Sequence, residues 1–148
     1  MRQHIIVPFD GSISAQSALL VAIEMARKYA EKIILINVQP SLATPSTTNF
    51  FHKSDILLYQ EALHEDAIKT ALHLLEEAGI EFEAKLMIGI PKNMICEEAK
   101  ARQIRCIIMG SRGHSAFVGG VLGSVSQGVM HLADCPVMVV PANSEHDQ

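Results

Sequence analysis

Short strand-like runs alternate along this chain with stretches of helical periodicity, and that alternation restricts its fold more than any other feature. HIIVPF (4–9), KIILINV (32–38) and RCIIMG (105–110) are apolar and rich in β-branched residues. They read as strands buried on both faces. IEFEAKLMI (80–88) alternates apolar and polar residues, as a half-exposed strand does, and CPVMVVP (135–141) is a last strand bounded by prolines. Between them, 14–30 places Ala18, Leu19, Ala22, Ile23, Ala26 and Ala30 at helical spacing, with Ser12 or Ser14 as cap. A longer helix runs from about Ser54, its expected cap, to Ala78, and Gly79 stands where a left-handed terminating residue belongs. Pro91 opens a helix to about Arg102, and SVSQGVMHLA (124–133) forms the fourth. QPSLATPSTTNF (39–50) reads as a loop, and the polar residues 142–148 as a mobile tail.

The order β-α-β-α-β-α-β-α-β predicts one α/β domain spanning 1–148. Its core is a Rossmann-like, doubly wound five-stranded parallel sheet, with right-handed crossovers and helices on both faces. Such sheets bind ligands outside the carboxyl ends of the strands, where the strand order reverses. For the order 3-2-1-4-5, the reversal falls between strands 1 and 4. PFDGS after the first and GSRGHS after the fourth then face one crevice.

Composition removes several function classes. The 148 residues are 49% hydrophobic and 19% charged, with a formal net charge of −4. An acidic balance argues against nucleic acid as a partner. No apolar run has the length of a membrane span, and MRQHIIVPFDGS lacks the features of a signal peptide. Cys96, Cys106 and Cys135 form no C-x-x-C pair, and their odd number fits a reducing, cytoplasmic location. They read as small buried hydrophobes. His64 and His73 stand nine apart on one helix, no H-E-x-x-H is present, and His52, His64 and His73 read as solvated positions.

The candidate site lies in MGSRGHSAFVGGVLGSVSQGVMHLA (109–133). It holds six of the nine glycines, within an acid-free run that begins at Ala99. Gly110 and Gly113 permit tight turning and close approach of a ligand. Gly123 and Ser124 open a helix whose amides and dipole suit a phosphate. Arg112 lies in the same loop, and so does His114, as a phosphate contact or an exposed bystander. The competing reading is that the glycines serve only turns and helix packing. Neither G-x-x-x-x-G-K-[ST] nor G-x-G-x-x-G is present, and GSVSQG (123–128) is not a nucleophile elbow. Ser124 and Ser126 read instead as cap and phosphate contacts.

Gly110, Gly113, Gly123 and Ser124 match G-x2-G-x9-G-[ST], and in this the chain resembles the nucleotide-binding members of the universal stress protein family. IIVPFDGS and CPVMVVP resemble the family's first and last strands, and the element order agrees over about residues 3–141. The resemblance implies an ATP-binding domain with Pro8, Asp10 and Val38 near adenine and ribose. Met109 and Gly110 would line the base or ribose side. Gly113, Gly123, Ser124 and Val125 would hold phosphates, with Arg112 either joining them or facing solvent. Asp10 would accept from a ribose hydroxyl, hold a hydrated Mg²⁺ or simply cap the first helix. The x9 insert, with Phe117 and Gly119-Gly120, is expected to move as nucleotide enters. Val137, Met138, Val139 and Val140 form an edge strand, for which the resemblance implies antiparallel pairing in a homodimer. The functional expectation is a cytoplasmic, ATP-binding regulatory protein of the stress response, read by a partner protein and hydrolysing little or nothing. The alternative is a slow ATPase or phosphotransferase, with Asp10 placing Mg²⁺ and Ser124 near the transferred group.

Overall fold

The computed structural model describes residues 3–112 and 122–142. Their elements are β1 (His4–Pro8), α1 (Ile13–Tyr29), β2 (Lys32–Gln39), α2 (Pro45–Thr48), α3 (Lys53–Ala78), β3 (Phe82–Ile88), α4 (Pro91–Ala101), β4 (Ile104–Gly110), α5 (Ser124–Leu132) and β5 (Val137–Val140). The sheet has the order β3-β2-β1-β4-β5, and every strand pair is parallel. This is the doubly wound α/β architecture expected.

Alternation along the strands divides the core into two layers. Ile5, Val7, Ile33, Leu35 and Ile108 point to one face, where α1 and α3 cover them with Leu19, Ala22, Ile68 and Leu75. Ile6, Ile34, Ile36 and Ile107 point to the other, against Ile95 of α4 and Val129 of α5. Ile5, Ile6, Ile34 and Ile107 are wholly buried, and each such side chain contributes roughly 1.5–3 kcal/mol. A parallel sheet wrapped on both sides needs apolar residues in both phases, so β1 and β2 read as continuous apolar runs.

Several ends differ from expectation. The 39–50 segment contains α2, a single turn opened by Pro45 and held by reciprocal Thr44 and Thr47 hydrogen bonds. The long helix begins at Lys53, with His52 as an N-cap that makes no side-chain bond, so Ser54 lies inside it. It ends at Gly79, as expected. Ser12, not Ser14, caps α1 by accepting from the Ala15 amide at 3.1 Å. Gly123, not Ser124, is the N-cap of α5. The expected tail falls outside the described residues from 143 onward.

An ion network ties β2, β3 and α4 together. Arg102 donates to both oxygens of Glu83 at 2.9 and 2.8 Å, and Lys32 adds a bond at 3.1 Å. Glu98 receives Lys85 at 2.9 Å and Arg102 at 2.8 Å. The Arg102 bonds, followed by that of Lys32, lower the Glu83 carboxyl to about 2. A carboxyl held below its unfolded value stabilises the fold above that value and loses its contribution as pH falls toward the folded one. We expect Glu83→Gln to be less stable than wild type at pH 7. The gap in urea midpoint should close between about pH 5 and pH 2. A gap constant over that range would remove Glu83 from the acid response.

Candidate functional site

The carboxyl ends of β1 and β4 diverge at the reversal in strand order, and a crevice of about 350 Å³ opens there. Pro8, Ile36, Val38, Pro91, Ile95 and Met109 give it an apolar wall. Asp10, Gly110, Arg112, Gly123, Ser124 and Val125 also line it. Every residue expected at the site therefore borders one cavity, except Gly113, which lies outside the described residues together with His114, Phe117, Gly119 and Gly120.

The β1 side is built by a tight turn. Gly11 adopts φ 84°, a left-handed conformation that side chains disfavour. The turn lets Asp10 Oδ1 accept from the Ser12 amide at 2.9 Å while Ser12 caps α1. One carboxylate oxygen is thus engaged in the turn, but the cap of α1 is Ser12 and not Asp10.

The β4 side depends on close packing. A Cβ on Gly110 would stand 2.6 Å from Ser14 Oγ, 2.7 Å from the Ser14 carbonyl carbon and 2.8 Å from the Ala15 nitrogen. The missing side chain therefore admits the first turn of α1, so the packing reading of this glycine holds. Ser14 is 4% exposed. Its Oγ accepts from the Ser111 amide at 2.8 Å and donates to the Val140 carbonyl at 3.2 Å, joining α1, β4 and β5.

Two phosphate roles change in consequence. The Gly123 amide donates to the Ser111 carbonyl at 2.8 Å, and the Ser126 hydroxyl donates to the Gly110 carbonyl at 2.8 Å. Both groups hold α5 to the end of β4. Gly123 instead supplies an N-cap with no side chain over the first turn. Its φ of −65° and ψ of 159° are ordinary extended backbone. The amides of Ser124, Val125 and Ser126 occupy the turn in which N–H groups have no intrahelical acceptor.

Residues not singled out from sequence complete the crevice: Phe9, Ala15, Ile36, Pro91 and Ile95. Strand periodicity contained a signal for Ile36, which lies two positions before Val38 on the same face. Helical periodicity did so for Ile95, four after Pro91. Asn37 had no such signal. It is 4% exposed, and its Nδ2 donates to the Phe9 carbonyl at 2.9 Å, steadying the floor. Its Oδ1 accepts from Gln39 Nε2 at 3.1 Å and lies 3.3 Å from His64 Nδ1. His64 is thus half-buried rather than solvated, and burial lowers its pKa against a smaller upward pull from Glu65. His52 and His73 are exposed, and His73 meets Glu77 at 3.2 Å.

Among the described residues, no group of three or more His, Cys, Asp or Glu side chains is placed to hold a metal. Burial raises the thiol of Cys96, that of Cys106 to about 11, and that of Cys135. Thiols held protonated in this way are poor nucleophiles. No helix among the described residues is long and apolar enough to cross a membrane.

A parallel sheet with a crevice at its switch point, bordered by a helix N-terminus, defines a doubly wound α/β domain. The model of the universal stress protein family matches residues 1–141, and the chain belongs to that family. It is 31% identical over 141 residues to universal stress protein MJ0531 of Methanocaldococcus jannaschii, covering 93% of this chain and 81% of that one. Universal stress protein UspA from Lactobacillus plantarum superposes with a TM-score of 0.79 at 26% identity, over 95% of this chain and 99% of that one. A family member from Arabidopsis thaliana, solved with AMP bound, gives a TM-score of 0.72 at 25% identity, over 99% and 95%.

The packing at Gly110 is directly testable. Gly110→Ala should cost about 1–3 kcal/mol, because backbone atoms of α1 must move to admit the methyl group. With a urea slope near 2 kcal/mol/M, the midpoint should fall by roughly 0.5–1.5 M. An unchanged midpoint would contradict the close approach.

Proposed function

We propose that this protein is a regulatory module of the stress response that binds ATP in the β1–β4 crevice. The observation that carries the reading is the pairing, in one cavity, of an apolar wall with a helix N-terminus that no side chain caps. Adenine offers flat aromatic faces to an apolar wall, and phosphate suits exposed helix amides. Val38, Pro8 and Met109 would take the base and ribose side. The amides of Ser124 and Val125, with Gly113 and Arg112, would take the phosphates. The Arabidopsis relative solved with AMP bound supports an adenine nucleotide as the class of ligand.

Asp10 is the one carboxylate among the described residues lining the crevice, and one of its oxygens serves the Ser12 turn. A single carboxylate fits Mg²⁺ only as a hydrated ion shared with nucleotide phosphates. When bound, Mg²⁺ would neutralise phosphate charge. Asp10 would orient its water shell, while the α5 amides hold the anion. No lysine lines the crevice among the described residues, and this supports little or no hydrolysis. The protein would then act in the cytoplasm by altering, on nucleotide binding, a surface read by a partner protein. A slow ATPase or phosphotransferase is the second reading, favoured by the exposed Ser124 beside the crevice that Asp10 lines.

Calorimetry should give a micromolar Kd for ATP, since charge-assisted contacts contribute roughly 1.5–3 kcal/mol each. Gly123→Val should weaken binding at least about tenfold with an unchanged circular dichroism spectrum, because a branched side chain enters phosphate space while the backbone remains permissible. Failure of wild type to bind at ~1 mM ATP would overturn the proposal. Turnover on the seconds scale that Asp10→Ala abolishes without loss of ATP binding would favour the enzyme.

The free edge of β5 supports a homodimer. Met138 is 41% exposed there, and β5 pairs only with β4 among the described residues. Light scattering should find a dimer for wild type and a monomer for Met138→Lys, since a lysine on an edge strand opposes pairing. A monomeric wild type would remove the edge-pairing model.

A further inference from the structure

A second cavity, of about 480 Å³, lies along the connection from β2 into α3. Leu42, Thr47, Phe51, Ile56 and Tyr59 line it, with Asp55 as its single charged residue. It shares no residue with the β1–β4 crevice. Its volume falls within the range of small-molecule sites.

The frame around this cavity is fixed by hydrogen bonds. The Thr47 hydroxyl closes on the Leu42 carbonyl. Buried Gln60 donates to the Pro40 carbonyl at 2.9 Å, and its own carbonyl receives Gln39 Nε2 at 3.0 Å. The wall itself is open to solvent, with Phe51 61% and Tyr59 58% exposed. Two aromatic rings left in water beside a preformed hollow mark a surface that an apolar body would cover.

The charge around it specifies the head of that body. Asp55 carries no ion-pair partner among the described residues. Asp55, Tyr59, Ala62 and Asp66 follow one another at spacings of four, three and four, so they share one stripe of α3. Residues 53–66 hold four carboxylates, Asp55, Glu61, Glu65 and Asp66, against one lysine, Lys53. Lys53 stands two positions from Asp55, about 200° around the helix. The helix N-terminus contributes roughly half a positive charge, which a full carboxylate outweighs.

We propose that this pocket is a small-molecule site for a cationic amphiphile. An aliphatic or aromatic body lies against Phe51, Ile56 and Tyr59, and an ammonium group sits at the rim beside Asp55. An anionic amphiphile of the same length would place its head group beside the Asp55 carboxylate and be repelled.

The test is a nitrogen-15 amide titration of the full chain with decylammonium below its micelle concentration, with decanoate and decanol run in parallel. The expected result is saturable shifts confined to residues 42–63, with decylammonium binding about tenfold more tightly than decanoate. Asp55→Asn, an exposed change outside the core, should reduce that preference to about threefold or less. Equal binding of decanoate and decylammonium overturns the proposal, as does a lack of saturable shifts. Concentration-dependent shifts of the same residues without ligand would overturn it in favour of a second copy of the chain. ATP added to the same sample reports on the crevice through Ser124 and Val125, so either site can fail without the other.

Discussion

The first turn of α1 reaches the end of β4 only because Gly110 has no side chain, and the crevice rests on that approach. With the helix this close, the hydroxyl of buried Ser14 accepts a hydrogen bond from the Ser111 amide and donates one to the Val140 carbonyl. The Ser126 hydroxyl and the Gly123 amide then close on the Gly110 and Ser111 carbonyls. Four elements, α1, β4, α5 and β5, meet at one point. The Ser111 amide also donates to the Val140 carbonyl at 2.9 Å, so the junction is tied by several bonds between elements distant in sequence.

This junction sets the direction of α5. Its N-cap is a glycine whose own amide is bonded inward, and the next three residues, Ser124, Val125 and Ser126, line the crevice with no side-chain cap bond among the described residues. On the other side, Asn37 holds the Phe9 carbonyl and keeps the β1 end from drifting. The result is a cavity lined by apolar side chains from β1, β2, α4 and β4 together with Asp10, Arg112 and the first turn of α5.

Much of this was legible in the residues. The strands announced themselves because a doubly covered parallel sheet demands apolar residues in both phases, and the order of elements then placed PFDGS and GSRGHS together. Gly110 was visible, but its use was ambiguous, since contact with a helix and contact with a ligand make the same demand of a glycine. α2 was hidden because Pro45 and the flanking threonines suit a loop as well as a single capped turn. Ser54 and Ser124 have better capping propensity than His52 and Gly123, yet packing moved each helix start by a residue or two. Ser14, Asn37 and His64 act through partners far away in sequence, and no local pattern encodes such contacts. The cavity lined by Phe51 likewise draws together residues before, within and after α2.

In the proposed complex the first-turn amides of α5 hold a phosphate while the apolar residues of the crevice hold a base. Amide chemical shifts measured with AMP and with adenosine test it most directly. The account predicts that both ligands move Val38 and Met109, and that only AMP moves Ser124, Val125 and Ser126. Identical perturbation of those three amides by adenosine and AMP, or none by either, would contradict it.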